Sequence, residues 1–207
     1  MKPGLRKRLF AWILKKGDTY NLKMYDSYKK SLFHDLKGTV AEIGPGTGVN
    51  LNYLPPGIKW IGIEPNEAFH HELKKRAEGL GIKAELLGGD ATNIPLPDNS
   101  MDAVLCTLVL CSVVNPVKAV AEMKRILKPG GKLIFIEHVA ALAGTGLRKA
   151  QNVFNPFNRL AADGCNCNRE TWSILENGGF TNLQLSHNRV KGTMKLHAPH
   201  IMGYAVK

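Results

Sequence analysis

From residue 38 to residue 137, short apolar runs alternate with stretches of helical periodicity, and few folds accommodate that alternation. Residues 39–43, 59–64, 84–87, 101–107 and 132–137 read as strands: each is short and largely apolar, and most are closed by Gly, Pro or Asp. Between them, residues 50–54 read as a short helix. Residues 66–80 place Phe69, Leu73 and Ala77 on one helical face, and 116–127 turn Val120, Met123 and Leu127 inward. The second of these helices stops at Lys128, Pro129, Gly130 and Gly131, a helix-ending turn. Strands that alternate with helices imply a mostly parallel sheet covered on both faces, a doubly wound α/β fold. Residues 140–168 read as irregular, punctuated by Gly144, Gly146, Pro156 and Gly164. A helix at 170–176 and strands at 182–186 and 201–206 complete the chain. There is no internal repeat and no dividing linker, so residues 38–207 are expected to form one domain, preceded by an arm at 1–37.

The arm is where the charge lies. The 207 residues carry 28 Lys or Arg against 17 Asp or Glu, and residues 1–37 alone hold 10 of the basic residues and 3 of the acidic ones. Leu5, Leu9, Trp12 and Ile13 recur at helical spacing, flanked by Lys2, Arg6, Lys7, Arg8, Lys15 and Lys16. Such a helix suits an anionic membrane surface, contacted by residues 1–16. It equally suits a cap helix with a solvated basic face, and the two readings stand level. Nucleic acid is not expected as a partner, because no aromatic platform or reading motif accompanies the cations. With 44% hydrophobic and 22% charged residues the chain is neither disordered nor fibrous. No apolar run approaches the ~20 residues of a spanning helix. The expected location is cytoplasmic, with peripheral membrane contact as the arm's contribution. Tyr20, Tyr25 and Tyr28 precede the first strand and read either as part of a lid or as ordinary core.

Four cysteines, Cys106, Cys111, Cys165 and Cys167, are few for this length and read as reduced thiols. Their spacings lack the two-residue gap of a zinc knuckle, so no metal is expected. Cys165 and Cys167 read as packing or loop residues rather than as nucleophiles.

Five features carry chemistry. Glu42 precedes Gly44, Pro45, Gly46, Thr47 and Gly48 at the end of the first strand; glycines there let the backbone turn and approach a ligand. Glu64, followed by Pro65, ends the second strand, where a carboxylate can accept both hydroxyls of a ribose. Asp90 and Ala91 follow the third strand, placed for an adenine amino group. Asp102 opens the fourth strand, and Thr107 and Leu108 leave it at the same sheet edge. The turn at 128–131 leads into the fifth strand.

In this order the five resemble the class I S-adenosylmethionine-dependent methyltransferases over about residues 38–138. The resemblance implies a seven-stranded sheet, six strands parallel and the last antiparallel, with S-adenosylmethionine at the strands' C-terminal edge. It implies that Gly44, Gly46 and Gly48 approach the methionine part, Glu64 holds the ribose, Asp90 and Ala91 contact adenine, and Thr107 and Leu108 line the floor; Glu42 and Pro65 belong to the same cofactor set. A narrower resemblance covers residues 106–113, 136–141, 163–172 and 199–207. These segments are similar to the methyltransferase-like 7 family of membrane-associated enzymes that methylate thiols. Members usually begin with a longer apolar anchor where this chain has its short basic arm, and many carry Cys where this chain has Pro45.

What this resemblance implies is methyl transfer to a small thiol, an alkyl thiol or hydrogen sulfide. The alternatives are a quinone, lipid or other carbon, nitrogen or oxygen acceptor, or a binding module without transfer. Transfer from a sulfonium is an in-line displacement that needs positioning and a reactive sulfur. Groups that act on the acceptor belong at the C-terminal sheet edge. His138 follows the fifth strand, Asp163 lies in the loop beyond it, and His200 starts the antiparallel strand that returns to that edge. These three are the expected acceptor-site residues.

Overall fold

Burial along the runs builds the sheet of this computed structural model, which describes residues 4–207, without the side chain of Arg6. Lys2 and the Arg6 side chain, both part of the basic arm, lie outside the described residues. The strands are β1 (Thr39–Ile43), β2 (Lys59–Ile63), β3 (Lys83–Leu87), β4 (Met101–Thr107), β5 (Leu127–His138), β6 (Asn182–Arg189) and β7 (Pro199–Val206). Their order across the sheet is β3-β2-β1-β4-β5-β7-β6. β7 runs antiparallel to both β5 and β6, and all other pairs are parallel. This is the arrangement expected, six strands one way and one the other. β1, β4 and β5 from Leu133 on are buried almost end to end because helices cover both of their faces. β6, at the edge, is half-exposed or exposed throughout.

The helices are α1 (Leu5–Phe33), α2 (His70–Gly79), α3 (Pro116–Ile126), α4 (Gly146–Ala161) and α5 (Thr171–Glu176). On one face Phe33 and Leu36, at and just beyond the end of α1, and Leu73 and Ala77 of α2 pack with Trp60 and Leu105 of the sheet. On the other, Val120, Met123 and Ile126 of α3 and Leu175 of α5 pack with Ile61, Val104 and Phe135. Asn115 starts α3 by accepting the Lys118 backbone N–H at 3.0 Å, with Pro116 in the first turn.

Two stretches differ from expectation. Residues 146–161, read as irregular, form the 16-residue helix α4. Gly144, at φ +81°, lies before the cap and Gly146 only begins the helix, so the glycines mark its boundary. Thr145 caps it through the Arg148 N–H at 3.2 Å. Only Pro156 stands inside, giving up one backbone hydrogen bond. Buried Gln151 ties α4 to the Ala141 N–H and to the Val139 and Leu196 carbonyls. The second difference is that α3 ends at Ile126 and the chain is already extended from Leu127, which pairs with Met101.

β1 has β2 on one side and β4 on the other, so strand order reverses there. A ligand crevice lies outside the carboxyl ends of strands at such a point.

Candidate active site

The loop that leaves β1 is shaped by two glycines. Gly44 sits at φ +61°, and a Cβ on it would lie 2.9 Å from a Val109 methyl carbon. Gly46 sits at φ +55°, and a Cβ there would meet no atom within 4 Å. The loop thus packs hard on the β4 side while Gly46 faces open space, as a cofactor cradle requires. Glu64, buried at the end of β2, accepts the Gly46 N–H at 3.0 Å on one oxygen and the Asn66 N–H at 2.8 Å on the other. Each oxygen keeps a further lone pair for a ribose hydroxyl. Burial raises the Glu64 carboxyl above its ordinary range, opposed by those two N–H groups.

Behind the loop, buried Glu42 accepts from Asn50 Nδ2 and from Trp60 Nε1, each at 2.9 Å. Burial pushes its carboxyl up to about 7. Asn50 also reaches Thr107 Oγ1 at 3.1 Å, which joins the β1 loop to the end of β4. Leu108 follows at φ +58°, a left-handed position rare for leucine, and its N–H donates to the Ile136 carbonyl at 2.8 Å. At the end of β3, Asp90 is exposed, and the Thr92 N–H holds its carboxyl below the usual range. Ala91 beside it is buried, and Pro65 is exposed.

The N-terminal half of α1 crosses the mouth of this crevice. Asp18 accepts from Thr47 of the glycine loop at 2.6 Å and pairs with Arg76 of α2 at 2.6 Å. Lys15 pairs with Glu72 at 2.9 Å, and Asn66 donates to the Lys7 carbonyl at 3.2 Å. A cavity of about 280 Å³ lies between Trp12 and Arg8 of α1 and Thr47 and Phe69 below. Lys29 is fully buried, bonded to Asn21 at 3.1 Å, and burial pulls its ammonium down to about 8. Tyr25 is buried as well, whereas Tyr20 is exposed. Leu5, Leu9, Trp12 and Ile13 are exposed, so the expected apolar face of the arm points to solvent. Among the described residues no helix is long and apolar enough to cross a membrane.

The residues expected at the acceptor site lie at the ends of β5 and β7 and in the turn after α4. His138 and His200 face each other in the β5–β7 pairing, with ring centroids 6.2 Å apart. His200 Nδ1 lies 3.1 Å from the Ala198 carbonyl, which can only accept, so Nδ1 carries the proton. Its Nε2 therefore accepts the Tyr25 hydroxyl at 2.8 Å. Burial pulls His200 down to about 4 and pushes Tyr25 up, so both are neutral at pH 7. Asp163 is exposed at φ +45° on the turn after α4. The residue of that turn that reaches His138 is Cys165, whose sulfur lies 3.0 Å from His138 Nε2. Neighbouring Cys111, together with burial, pushes the Cys165 thiol up to about 11.

Two residues that sequence reasoning passed over shape this side. Glu137, fully buried, accepts the Val109 and Leu110 N–H groups at 2.9 and 3.1 Å and fixes the turn that carries Cys111. Arg169 donates to the Leu110 and Val113 carbonyls of the same turn. An acid closing an otherwise apolar strand was the available signal for Glu137.

A methyltransferase-domain family model matches residues 41–135. Human thiol S-methyltransferase TMT1A is 38% identical over 96% of this chain and 89% of its own length. Human TMT1B is 40% identical over 90% of this chain and 81% of its own. Among solved structures, an S-adenosylmethionine-dependent methyltransferase of Thermotoga maritima superposes with a TM-score of 0.67 at 23% identity, covering 96% of this chain and 97% of that one. The glycine cradle, the part-satisfied Glu64 carboxylate and the open space at Gly46 fit S-adenosylmethionine as cofactor. With that cradle in place and likeness to both enzymes running nearly end to end, the chain belongs to the thiol S-methyltransferase family of S-adenosylmethionine-dependent methyltransferases.

Proposed function

We propose that this protein methylates the sulfur of a small thiol, an alkyl thiol or hydrogen sulfide. The observation that supports this is extent. The methyltransferase-domain match ends at residue 135, whereas the likeness to TMT1A takes in 96% of the chain and so most of the acceptor half.

The cofactor, when bound, supplies a methyl group already activated on a sulfonium. The protein's part is positioning, exclusion of water and a sulfur in its ionised form. Gly44, Gly46 and Gly48 let the loop lie against the methionine part, and Glu64 takes the ribose hydroxyls on its remaining lone pairs. Asp90 and Ala91 border adenine, with Pro65 at the rim. Thr107 and Leu108 form the floor, and Glu42 braces it through Asn50. His138, Asp163 and His200 line the acceptor end. A small thiol is partly ionised near neutral pH and needs only modest help to become a thiolate.

Residues 1–37 serve as a lid on the methyltransferase domain of residues 38–207, latched through Asp18 and Lys15. The exposed Leu5, Leu9, Trp12 and Ile13, with Lys7, Arg8, Lys15 and Lys16 among them, suit docking on an anionic lipid surface. Incubation with methyl-labelled S-adenosylmethionine and a panel of thiols, amines and phenols tests the reading. Label on thiols is expected; label on amines or phenols but on no thiol overturns it.

A further inference from the structure

We propose that Cys111, His138 and Cys165 hold one soft divalent cation of the zinc class, with a fourth position open to the acceptor's sulfur. The identity of the fourth ligand rests on the thiol-methylating reading above; the ion does not.

The three residues come from three separate elements: the turn after β4, the end of β5 and the loop after α4. Each offers one ligand atom, and these atoms lie within 4.8 Å of one another. All three side chains are buried. A tetrahedral zinc ion with Zn–S near 2.3 Å and Zn–N near 2.0 Å sets its ligand atoms roughly 3.6–3.8 Å apart. Cys165 Sγ and His138 Nε2 stand at 3.0 Å and must part slightly. No pair exceeds 4.8 Å, so the others close by at most about 1 Å. Two sulfurs and an imidazole form a soft donor set, which selects the zinc class over magnesium or calcium.

The scaffold is already fixed without an ion. The Cys111 carbonyl accepts both the Asn166 N–H at 2.9 Å and Asn166 Nδ2 at 3.1 Å, which stitches the Cys111 turn to the Cys165 loop. Asn158 Nδ2 donates to the Cys165 carbonyl at 2.7 Å. Glu137 and Arg169 brace the Cys111 turn from below. Meanwhile His138 Nδ1 is buried with no hydrogen-bond partner among the described residues. The ion would take Nε2, the ring nitrogen that faces Cys165, and Nδ1 would keep the ring's proton.

Three protein ligands and one open position is the pattern of zinc sites that bind a reacting molecule, whereas closed sites use four. On binding the ion, Cys111 and Cys165 each release a proton to solvent. An acceptor thiol releases its own proton and coordinates as thiolate, with no change of oxidation state. His197 is the competing fourth ligand: its ring centroid lies 4.9 Å from that of His138.

The test is titration of the reduced full chain with Co²⁺, followed by visible and near-ultraviolet absorption. One Co²⁺ per chain with a thiolate-to-metal charge-transfer band is expected. Cys111→Ser and Cys165→Ser should each weaken Co²⁺ binding by more than about 100-fold. Cys167→Ser, outside the cluster, should keep the band, and far-ultraviolet circular dichroism confirms that each variant is folded. A small alkyl thiol added without cofactor should shift the band. Absence of the band, or its survival in both cluster variants, overturns the site. A band that the thiol leaves unaltered overturns the open position and assigns it to His197. Methyl transfer to thiols by protein that binds no Co²⁺ overturns the ion while leaving the thiol reading intact.

Discussion

Glu64 and Gly46 are joined across the crevice: one Glu64 carboxylate oxygen accepts the Gly46 N–H at 3.0 Å, tying the end of β2 to the loop after β1. The acid that should take the ribose therefore also sets the curvature of the loop that should take the methionine part. Cofactor recognition is thus one connected unit, not two independent subsites.

Glu64→Ala should lower affinity for S-adenosylmethionine by at least about tenfold, roughly 1.4 kcal/mol. Isothermal titration calorimetry measures this directly. Unchanged affinity would refute the ribose role.

Glu42 makes stability depend on pH. Burial raises its carboxyl from 4.5 to about 7 in the folded chain. The folded state then keeps a proton that the unfolded chain has lost, so the contribution is full below pH 4.5 and fades as pH rises to about 7. Urea unfolding across that window should show stability falling with pH. Glu42→Gln should flatten the slope, although the amide will also lower absolute stability by facing an N–H donor. The same slope in both proteins would count against the assignment.

Asp18 latches α1 to the glycine loop and to α2. Asp18→Ala should destabilise the fold by about 1–2 kcal/mol, because the Thr47 hydroxyl and the Arg76 guanidinium lose their partly buried charged acceptor. It should also speed amide hydrogen exchange in the N-terminal half of α1 more than in α3. Equal protection of α1 in both proteins would show that Asp18 does not hold the lid.

Deletion of residues 1–16 should reduce co-sedimentation with anionic vesicles several-fold and, because it also removes the Lys15–Glu72 latch of the lid, lower turnover of a soluble thiol. Equal vesicle binding with and without the arm would remove the membrane reading.

The strands were legible because burial on both faces leaves short apolar runs in β1, β4 and the second half of β5, and the candidate cofactor loop was legible because its glycines stand where the backbone turns left-handed. α4 was not, since Pro156 inside it and two glycines at its start imitate a loop. Nor was the continuity of α1, which runs 29 residues straight through Gly17. The Cys111–His138–Cys165 cluster had no local signature: spacing rules detect ligands on one knuckle, and these three meet only once β4, β5 and the loop after α4 are in place. Asp163 was the residue of that loop picked out in the sequence, and it lies exposed two positions before the cysteine that turns inward.

The choice of sulfur as acceptor defines the reaction. The direct measurement is kcat/KM with S-adenosylmethionine for an alkyl thiol, compared with the alcohol and the amine of the same chain length, each methylated product identified by mass spectrometry. Methyl thioether is expected with a kcat/KM at least about 100-fold above either analogue, a difference of about 2.7 kcal/mol in transition-state binding. Methylation of the amine or alcohol at a rate equal to or above that of the thiol would contradict it.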